Sequence, residues 1–143
     1  MSKKSIYLAI KEALKAKLPY LFIDLQKGQF LKPSENLPVP LPAALIEFQN
    51  IPWVEHSKIA QKGDSSFKVD LYLGCEQETF DEAEAENESL NMLDDANDVF
   101  KALNGITGVG FEYVERKAEE KPKYGKGYVQ FTLEFRINII EEY

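Results

Sequence analysis

Hydrophobic residues near the start of the chain recur at the spacing of one helix face. The recurring positions are Ile6, Ile10, Ala13, Leu14 and Leu18, and lysines occupy many of the positions between them. This pattern predicts an amphipathic helix, which ends at Pro19 because proline cannot donate the next backbone hydrogen bond. The aromatic and β-branched run Tyr20–Leu25 then predicts a strand, and Gly28 follows it as a turn signal.

The middle of the chain predicts a connector followed by strands. Four prolines fall within residues 33–42, which favours an extended linker over a polyproline ligand for a partner domain. Two apolar runs follow at Ala44–Phe48 and Ile51–Val54, and Lys62–Asp64 is typical of a turn. Apolar and polar residues alternate over residues 67–73, which predicts a strand with one face in the core.

The last third of the chain predicts a second helix and a hairpin. One apolar stripe on this helix is formed by Leu90, Leu93, Ala96, Phe100 and Leu103. The helix is predicted to begin near Ser89, a typical N-cap, and to end at Asn104–Gly105. Residues 76–88 stay unassigned, because Glu and Ala favour a helix whereas the crowded like charges oppose it. Val109–Arg116 and the strongly alternating Tyr128–Ile140 predict an antiparallel hairpin with a long charged tip at about 117–126.

These elements predict one α+β domain spanning residues 1–143, in the order α-β-β-β-α-β-β. Alternating strands are typical of antiparallel sheets that bury one face. We therefore expect a mostly antiparallel sheet of about five strands, with both helices packed on one face. An apolar content of 44% in 143 residues is ample for a single core.

Charge and hydropathy exclude two classes of partner. The formal net charge is -7, whereas binding to a phosphate backbone needs clustered Lys and Arg. The charge is also uneven, since residues 1–75 carry ten basic and seven acidic residues, and residues 76–143 carry seven basic and seventeen acidic residues. No stretch approaches the ~18 apolar residues of a membrane span. We therefore expect a soluble, non-secreted protein that binds neither nucleic acid nor membrane.

No motif in the chain specifies a catalytic, cofactor or metal site. Gly105–Gly110 follows a predicted helix, whereas a phosphate loop must follow a strand and open a helix. The single Cys75 and single His56 cannot assemble the usual zinc sets, and alone they are little evidence for a nucleophile and its base. The acids of residues 76–88 lack the alternation of a calcium loop, which favours a solvated segment or a docking surface.

Three residues within predicted strands or apolar runs merit separate interpretation. Asp24 and Asp70 are the least ordinary of the 24 acids, and outward-facing strand positions account for both. Trp53 lies within the apolar run Ile51–Val54 and precedes Glu55 and His56, which places it either in the core or at an edge where aromatic residues anchor interfaces. We expect no catalytic residues and no cofactor.

Taken as a whole, the chain resembles the tail terminator and tail-completion proteins of long-tailed bacteriophages and their prophages. The resemblance lies in the order of the elements and in loosely spaced pieces of sequence. These pieces are Ile51–Val54, the turn Gln61–Asp64, Phe67–Leu73, Phe100–Gly105, Phe111–Arg116 and Phe135–Ile140. None of them is a catalytic signature. The proline-rich segment and the acidic 76–88 segment have no counterpart in this resemblance.

The resemblance implies a structural, non-enzymatic subunit that forms a ring. Such rings, usually of about six subunits, sit on the last ring of the tail tube and offer a surface to the head connector. The implied location is the bacterial cytoplasm during assembly and the virion tail afterwards. The candidate subunit interface comprises Lys4, Lys11, Lys15, Trp53, Glu82, Glu84 and Glu86. In this hypothesis the acidic segment faces the basic first helix of the adjacent subunit.

Three alternatives remain open from the sequence. The first is another neck or connector subunit, which would also assemble through shape alone. The second is a monomeric binding module that uses the proline-rich segment. The third is a small enzyme that uses Cys75, His56 or an acidic pair.

Overall fold

A computed structural model describes residues 2–31, 36–49, 53–57, 60–74, 82–108 and 110–142. Within these ranges, two α-helices and seven strands follow one another. In order they are α1 (Ser2–Lys17), β1 (Phe22–Leu25), β2 (Ala43–Phe48), β3 (Trp53–Ser57), β4 (Ala60–Gly74), α2 (Glu82–Leu103), β5 (Phe111–Glu119), β6 (Lys123–Gly125) and β7 (Tyr128–Glu142). A 3₁₀ turn, Gln29–Leu31, follows β1.

The sheet is built around two long antiparallel strands, β4 and β7, of 15 residues each. Every residue of β4 has a partner in β7, from Ala60↔Glu142 to Gly74↔Tyr128. The main strand order is β1-β2-β4-β7-β5, with β3 also paired to β4 and β6 also paired to β7. Only β1 and β2 are parallel among these pairings. The predicted α+β class, mostly antiparallel sheet and helices on one side are thereby confirmed.

The sheet has more strands than the five or so expected, because β3 and β6 are short and β4 starts early. Lys62–Asp64, predicted as a turn, lies inside β4 and pairs with residues 138–140 of β7. The turn prediction is wrong for a tertiary reason. A long partner strand offers hydrogen bonds that outweigh the local turn preference of Gly and Asp.

Helix α1 agrees with the sequence pattern. Ile6, Ile10 and Leu14 are fully buried at successive four-residue steps, so one stripe of the helix faces the sheet. The amide of Leu18 donates to the carbonyl of Leu14 at 2.7 Å, and this is the last helical hydrogen bond before Pro19. The predicted end of the helix is confirmed.

Helix α2 begins seven residues before the predicted start at Ser89. The Ser89 hydroxyl donates to the carbonyl of Ala85 at 3.1 Å, so this serine is an interior helical residue and not an N-cap. The helix preference of the preceding Glu and Ala residues therefore prevails over their charge repulsion. The predicted end is confirmed, because Gly105 follows the helix with φ +84°, a conformation that glycine adopts readily.

The apolar stripe of α2 is only partly buried. Val99 and Leu103 are fully buried, whereas Leu90 is 50% exposed and Leu93 is 57% exposed. Leu90 and Leu93 belong to the predicted stripe, but the sheet does not cover them. Helical spacing shows which residues share a side, but it does not show how far the sheet extends beneath the helix.

The opposite face of the sheet carries a second, smaller apolar cluster. Its buried members are Val39, Ala43, Leu45 and Tyr72, with Phe22, Phe30, Leu41 and Tyr128 packed against them. The proline-rich segment contributes Val39 and Leu41, so its described part covers this face rather than only connecting two strands. The segment therefore has a packing role that the linker interpretation did not include.

The predicted hairpin of β5 and β7 is confirmed by an antiparallel register from Phe111↔Ile139 to Glu119↔Leu133. Its charged tip is shorter than the 117–126 predicted. β5 continues to Glu119, and β6 pairs with the first residues of β7. The remaining turn contains Gly127 at φ +81°.

Candidate functional site

A pocket lies on the helix-free face of the sheet, and we call it the sheet pocket. Asp70 and Tyr72 of β4 point to this face because they alternate with the core residues Val69 and Leu71. The segment after β1 folds over them and brings Gln26 and Phe30 to the site. The cavity measures about 460 Å³. Its lining comprises Gln26, Gly28, Phe30, Leu31, Glu47, Asp70, Tyr72, Lys123, Tyr128 and Gln130.

Asp70 is the charged residue at the base of the sheet pocket, with only 5% of its surface exposed. The Thr132 hydroxyl donates to its Oδ1 at 2.6 Å, and the Gln26 amide Nε2 donates to its Oδ2 at 2.7 Å. Asp70 and Thr132 are direct cross-strand partners, which explains the short contact. Both carboxylate oxygens are therefore engaged within the subunit, as burial of a charged group requires.

Three aromatic rings close the sheet pocket. The Phe30 ring stacks on Tyr72 with centroids 3.9 Å apart, and Tyr128 lies 5.7 Å from Tyr72. Burial raises the pKa of Tyr72 to about 12; the hydrogen bond from Gln26 lowers this pKa, and the nearby Asp70 raises it. The phenol therefore stays neutral at physiological pH. The neutral phenol and the hydrogen-bonded carboxylate hold the segment after β1 against the sheet.

The structure keeps Asp24 and Asp70 apart. Asp24 of β1 aligns with Leu45 of β2, which aligns with Asp70 of β4, so two strand spacings, roughly 10 Å, separate them. The hydrogen bond from the Leu25 amide is the main cause that lowers the pKa of Asp24, and the hydrogen bond from Lys27 lowers this pKa further. Asp24 faces outward as predicted, whereas Asp70 points away from the helices but is buried. No shared proton can link these two carboxylates at that separation.

The predicted interface residues occupy both helices and β3. Lys4 and Lys11 are exposed on α1, whereas Lys15 is half-buried and its ammonium donates to the carbonyls of Leu21 and Pro19. Glu86 is exposed on α2. Glu82 and Glu84 lie in the first turn of that helix and Trp53 opens β3. The side chains of these last three residues lie outside the described part of the structure.

The remaining chemical candidates receive no support from the geometry. Cys75 lies outside the described residues, as does the first part of the acidic 76–88 segment, and His56 is described only as a backbone position in β3. Within the described ranges, no three His, Cys, Asp or Glu residues gather closely enough to hold a metal ion. Among the same residues, no helix is both long and apolar enough to span a membrane.

A groove of about 580 Å³ separates α2 from the ends of β2 and β4. Its lining comprises Tyr20, Pro42, Leu73, Gly74, Asn87, Glu88, Asn91, Met92 and Asp95. Burial raises the pKa of Asp95, and the neighbouring Asp98 and Asp94 raise it further. The pKa of Tyr20 is raised by burial and then by Asp95 and Asp98. This end of α2 is therefore a strongly negative surface beside exposed apolar side chains.

The outer edge of β1 is covered by side chains of the same subunit. The backbone amides of Phe22 and Gln26 donate towards β2, so the alternate residues Ile23 and Leu25 present their backbone groups to the outside. The covering contacts are Lys15 Nζ to the Leu21 carbonyl, Tyr7 hydroxyl to the Ile23 carbonyl at 3.5 Å, Gln29 Nε2 to the Leu25 carbonyl at 3.1 Å, and the Leu25 amide to Asp24 Oδ1 at 2.7 Å. Another strand cannot pair here without displacing them.

The opposite edge of the sheet is partly closed in a different way. The Val114 amide donates to the Ile106 carbonyl at 3.1 Å, and the Gly105 amide donates to the Val114 carbonyl at 2.6 Å. The loop after α2 therefore pairs with the start of β5. Register shifts at Glu112/Val114 and Arg116/Ala118 further disturb this edge. Both described edges of the sheet are therefore partly closed to an additional strand.

Sequence reasoning missed the members of the sheet pocket that come from loops. Gln26 and Phe30 lie in a turn region that shows no periodicity, so no pattern marks them. Thr132 and Tyr128 occupy polar positions of an alternating strand and look like ordinary surface residues. The available signal was Asp70 itself, an acid two residues from Tyr72 on one strand face.

Comparison with known proteins gives information about the fold. No known protein family matches the chain. No curated protein matches it either. Among solved structures, a chain of the virion of a native gene transfer agent particle is similar, with a TM-score of 0.56 and 13% sequence identity over 98% of each chain. At this identity the likeness establishes a shared fold across nearly the whole chain.

Proposed function

We propose that the chain is a structural, non-enzymatic subunit of a phage-like virion tail. The observation that carries this proposal is the shared fold with a chain of a gene transfer agent virion over 98% of both chains. The resemblance to tail terminators, in the order of the elements and in loosely spaced pieces of sequence, supports the same class of protein. Both point to a protein that acts through assembly, and the engaged Asp70 and neutral Tyr72 agree with a site that performs no chemistry.

The specific role we propose is that of the tail terminator. Copies of the chain form a ring of about six subunits on the last ring of the tail tube. The ring stops tube growth and presents a surface to the head connector. The subunit assembles in the bacterial cytoplasm and then stays in the virion tail.

Tube length tests the terminator role directly. The tail-tube protein of the same genome is assembled in vitro with and without this chain, and tube lengths are measured by electron microscopy. Present during assembly, the chain should shorten the tubes and leave a cap at one end. Adding the same amount after assembly is the matched control, since a cap that only blocks growth leaves existing tubes unchanged.

Two outcomes contradict the terminator role in different ways. Identical length distributions under all conditions, with no cap, remove the role altogether. A ring that binds the end of existing tubes without limiting their growth transfers the chain to the alternative role of a neck or connector subunit.

A further inference from the structure

The exposed side of α1 carries a stripe that we call the basic flank: Lys4, Leu8 and Lys11. Their spacing of four and three residues places them on one side of the helix. Lys4 and Lys11 are exposed, and Leu8 is 51% exposed although it is a large apolar residue. Glu12 lies beside Leu8, and the lysines leave the flank positive overall.

The exposed side of α2 carries a matching stripe that we call the acidic flank: Glu86, Leu90, Leu93 and Asp94. Glu86, Leu90 and Leu93 are separated by four and three residues, so they also share one side. Glu86 and Asp94 are exposed, and the two leucines are 50% and 57% exposed. Each helix therefore presents leucine side chains framed by charge, and the sign of the charge is opposite on the two helices.

The two flanks lie on opposite sides of the subunit. The basic flank lies next to β1, because Tyr7 and Lys15 reach the backbone at the outer edge of that strand. The acidic flank lies towards β5, because the Arg116 guanidinium of β5 sits 4.0 Å from the ring centroid of Phe100, seven residues after Leu93. Strands β1 and β5 are the two ends of the strand order.

We propose that identical copies associate head to tail, with the basic flank of one copy on the acidic flank of the next. This inference rests on the proposed function and names the surfaces that form the ring. Leu8 packs against Leu90 and Leu93 at the centre of the contact, while Lys4 and Lys11 face Glu86 and Asp94 around it. Contact between two identical flanks is disfavoured, since it opposes like charges. Because the flanks lie on opposite sides, repeated head-to-tail contact forms a closed ring when the rotation from one copy to the next divides a full turn evenly.

Two double variants test the contact. Leu8→Asp with Lys11→Glu removes the basic flank, and Leu90→Asp with Leu93→Asp removes the acidic flank. All four side chains are exposed, so the fold should survive, and circular dichroism with a thermal melt verifies this. Molar mass is measured by light scattering at low salt up to the highest soluble concentration. We expect the wild type to associate and each variant alone to have an association constant at least about tenfold weaker.

Light scattering of a mixture of the two variants is the decisive experiment. Each variant keeps one intact flank, so a 1:1 mixture should form heterodimers and nothing larger. Leu31→Asp is the matched apolar control, because Leu31 is 85% exposed but lies at the sheet pocket. Lys126→Glu is the matched charge control, located in the exposed turn before β7. Both controls should associate like the wild type.

Three outcomes overturn the proposal. They are a wild type that stays monomeric at every concentration, a folded double variant that still associates like the wild type, and a mixture that forms no heterodimer. Failure here is distinguishable from failure of the terminator role. If both flank variants still shorten tail tubes, the flank contact is wrong and the terminator role survives. If the flanks associate as described but the wild type never limits tube length, the terminator role is wrong and the flank contact survives.

Discussion

The two faces of the sheet solve the problem of burial differently. Under the helices, β4 and β7 contribute fully buried apolar side chains, such as Phe67 and Phe135, whose rings stack at 5.4 Å. On the helix-free face the same strands contribute Asp70 and Thr132, which are buried although they are polar. Their burial is possible because Thr132 donates to Asp70 and the loop residue Gln26 donates to the other carboxylate oxygen. One face therefore gains its stability from packing, whereas the other depends on polar groups that match each other.

The helix-free face also changes character along its width. Beyond the sheet pocket it is an exposed array of ion pairs between strands. The pairs are Lys68–Glu120 at 3.3 Å, Lys117–Glu134 at 3.3 Å and Arg136–Glu115 at 3.4 Å. Exposed pairs of this kind contribute little to stability because water and salt screen them. The contribution to the free energy of unfolding should therefore be largest in the helix-covered core, smaller in the sheet pocket and smallest among the ion pairs.

The largest effect is expected in the helix-covered core. Phe135→Ala removes a fully buried ring and leaves a cavity, and it should lower the free energy of unfolding by about 3–5 kcal/mol. Urea unfolding followed by circular dichroism measures the loss. Tyr124→Ala, at a residue that is 69% exposed, is the control and should change stability by less than about 0.5 kcal/mol. A loss below about 1 kcal/mol for Phe135→Ala is incompatible with a tightly packed core.

A smaller loss is expected in the sheet pocket. Asp70→Ala leaves the Thr132 hydroxyl and the Gln26 amide without their acceptor and should lower stability by about 2 kcal/mol. A double-mutant cycle with Thr132→Val isolates the hydrogen bond between the two side chains. If the two substitutions are simply additive, the polar match does not hold this face together.

Alkaline pH should weaken the helix-free face through Tyr72 and leave the apolar core under the helices unchanged. The native pKa of Tyr72 lies at about 12, above its ordinary value of 10.0, so the folded state binds this proton more tightly than the unfolded state. The corresponding stability is present below pH 10 and is lost as pH rises towards 12. Ultraviolet titration of the wild type against Tyr72→Phe should reveal a phenol that ionises near pH 12. A difference spectrum centred near pH 10 contradicts burial as the cause.

The smallest effect is expected among the ion pairs. Lys117→Gln removes the partner of Glu134, and both charges are accessible to solvent. The free energy of unfolding should fall by less than about 1 kcal/mol, and 0.5 M salt should reduce the difference further. A loss as large as that of Asp70→Ala would show that the exposed part of the helix-free face is a major source of stability.

Much of the fold was predictable because local patterns report directly on it. The stripe Ile6, Ile10 and Leu14, the helix end at Gly105 and the alternation in β7 all correspond to observed elements. The turn prediction failed where a distant segment decided the outcome. Lys62–Asp64 became part of β4 because residues 138–140 pair with it. The start of α2 was missed for a local reason, since the helix preference of its first residues prevailed over their charge repulsion.

The candidate surfaces were predictable only in part. The basic residues of α1 and the acidic residues of α2 are visible in the sequence, and their opposite charges suggested a contact between copies. The sequence placed Leu90 and Leu93 on one apolar stripe of α2, whereas only the structure shows that they are exposed, and they supply the apolar centre of the proposed contact. Lys15 was equally misleading, because its ammonium is engaged at the end of α1.

The sequence by itself determined the class of fold, the location of most helices and strands, and the uneven charge. These follow from periodicity and composition, which act over a few residues. Only the tertiary structure decided that Asp70 is buried, that the edge of β1 is covered and that the two charged flanks lie on opposite sides. The reason is physical. Burial, partners and direction depend on which distant segments pack together, and no local pattern records that choice.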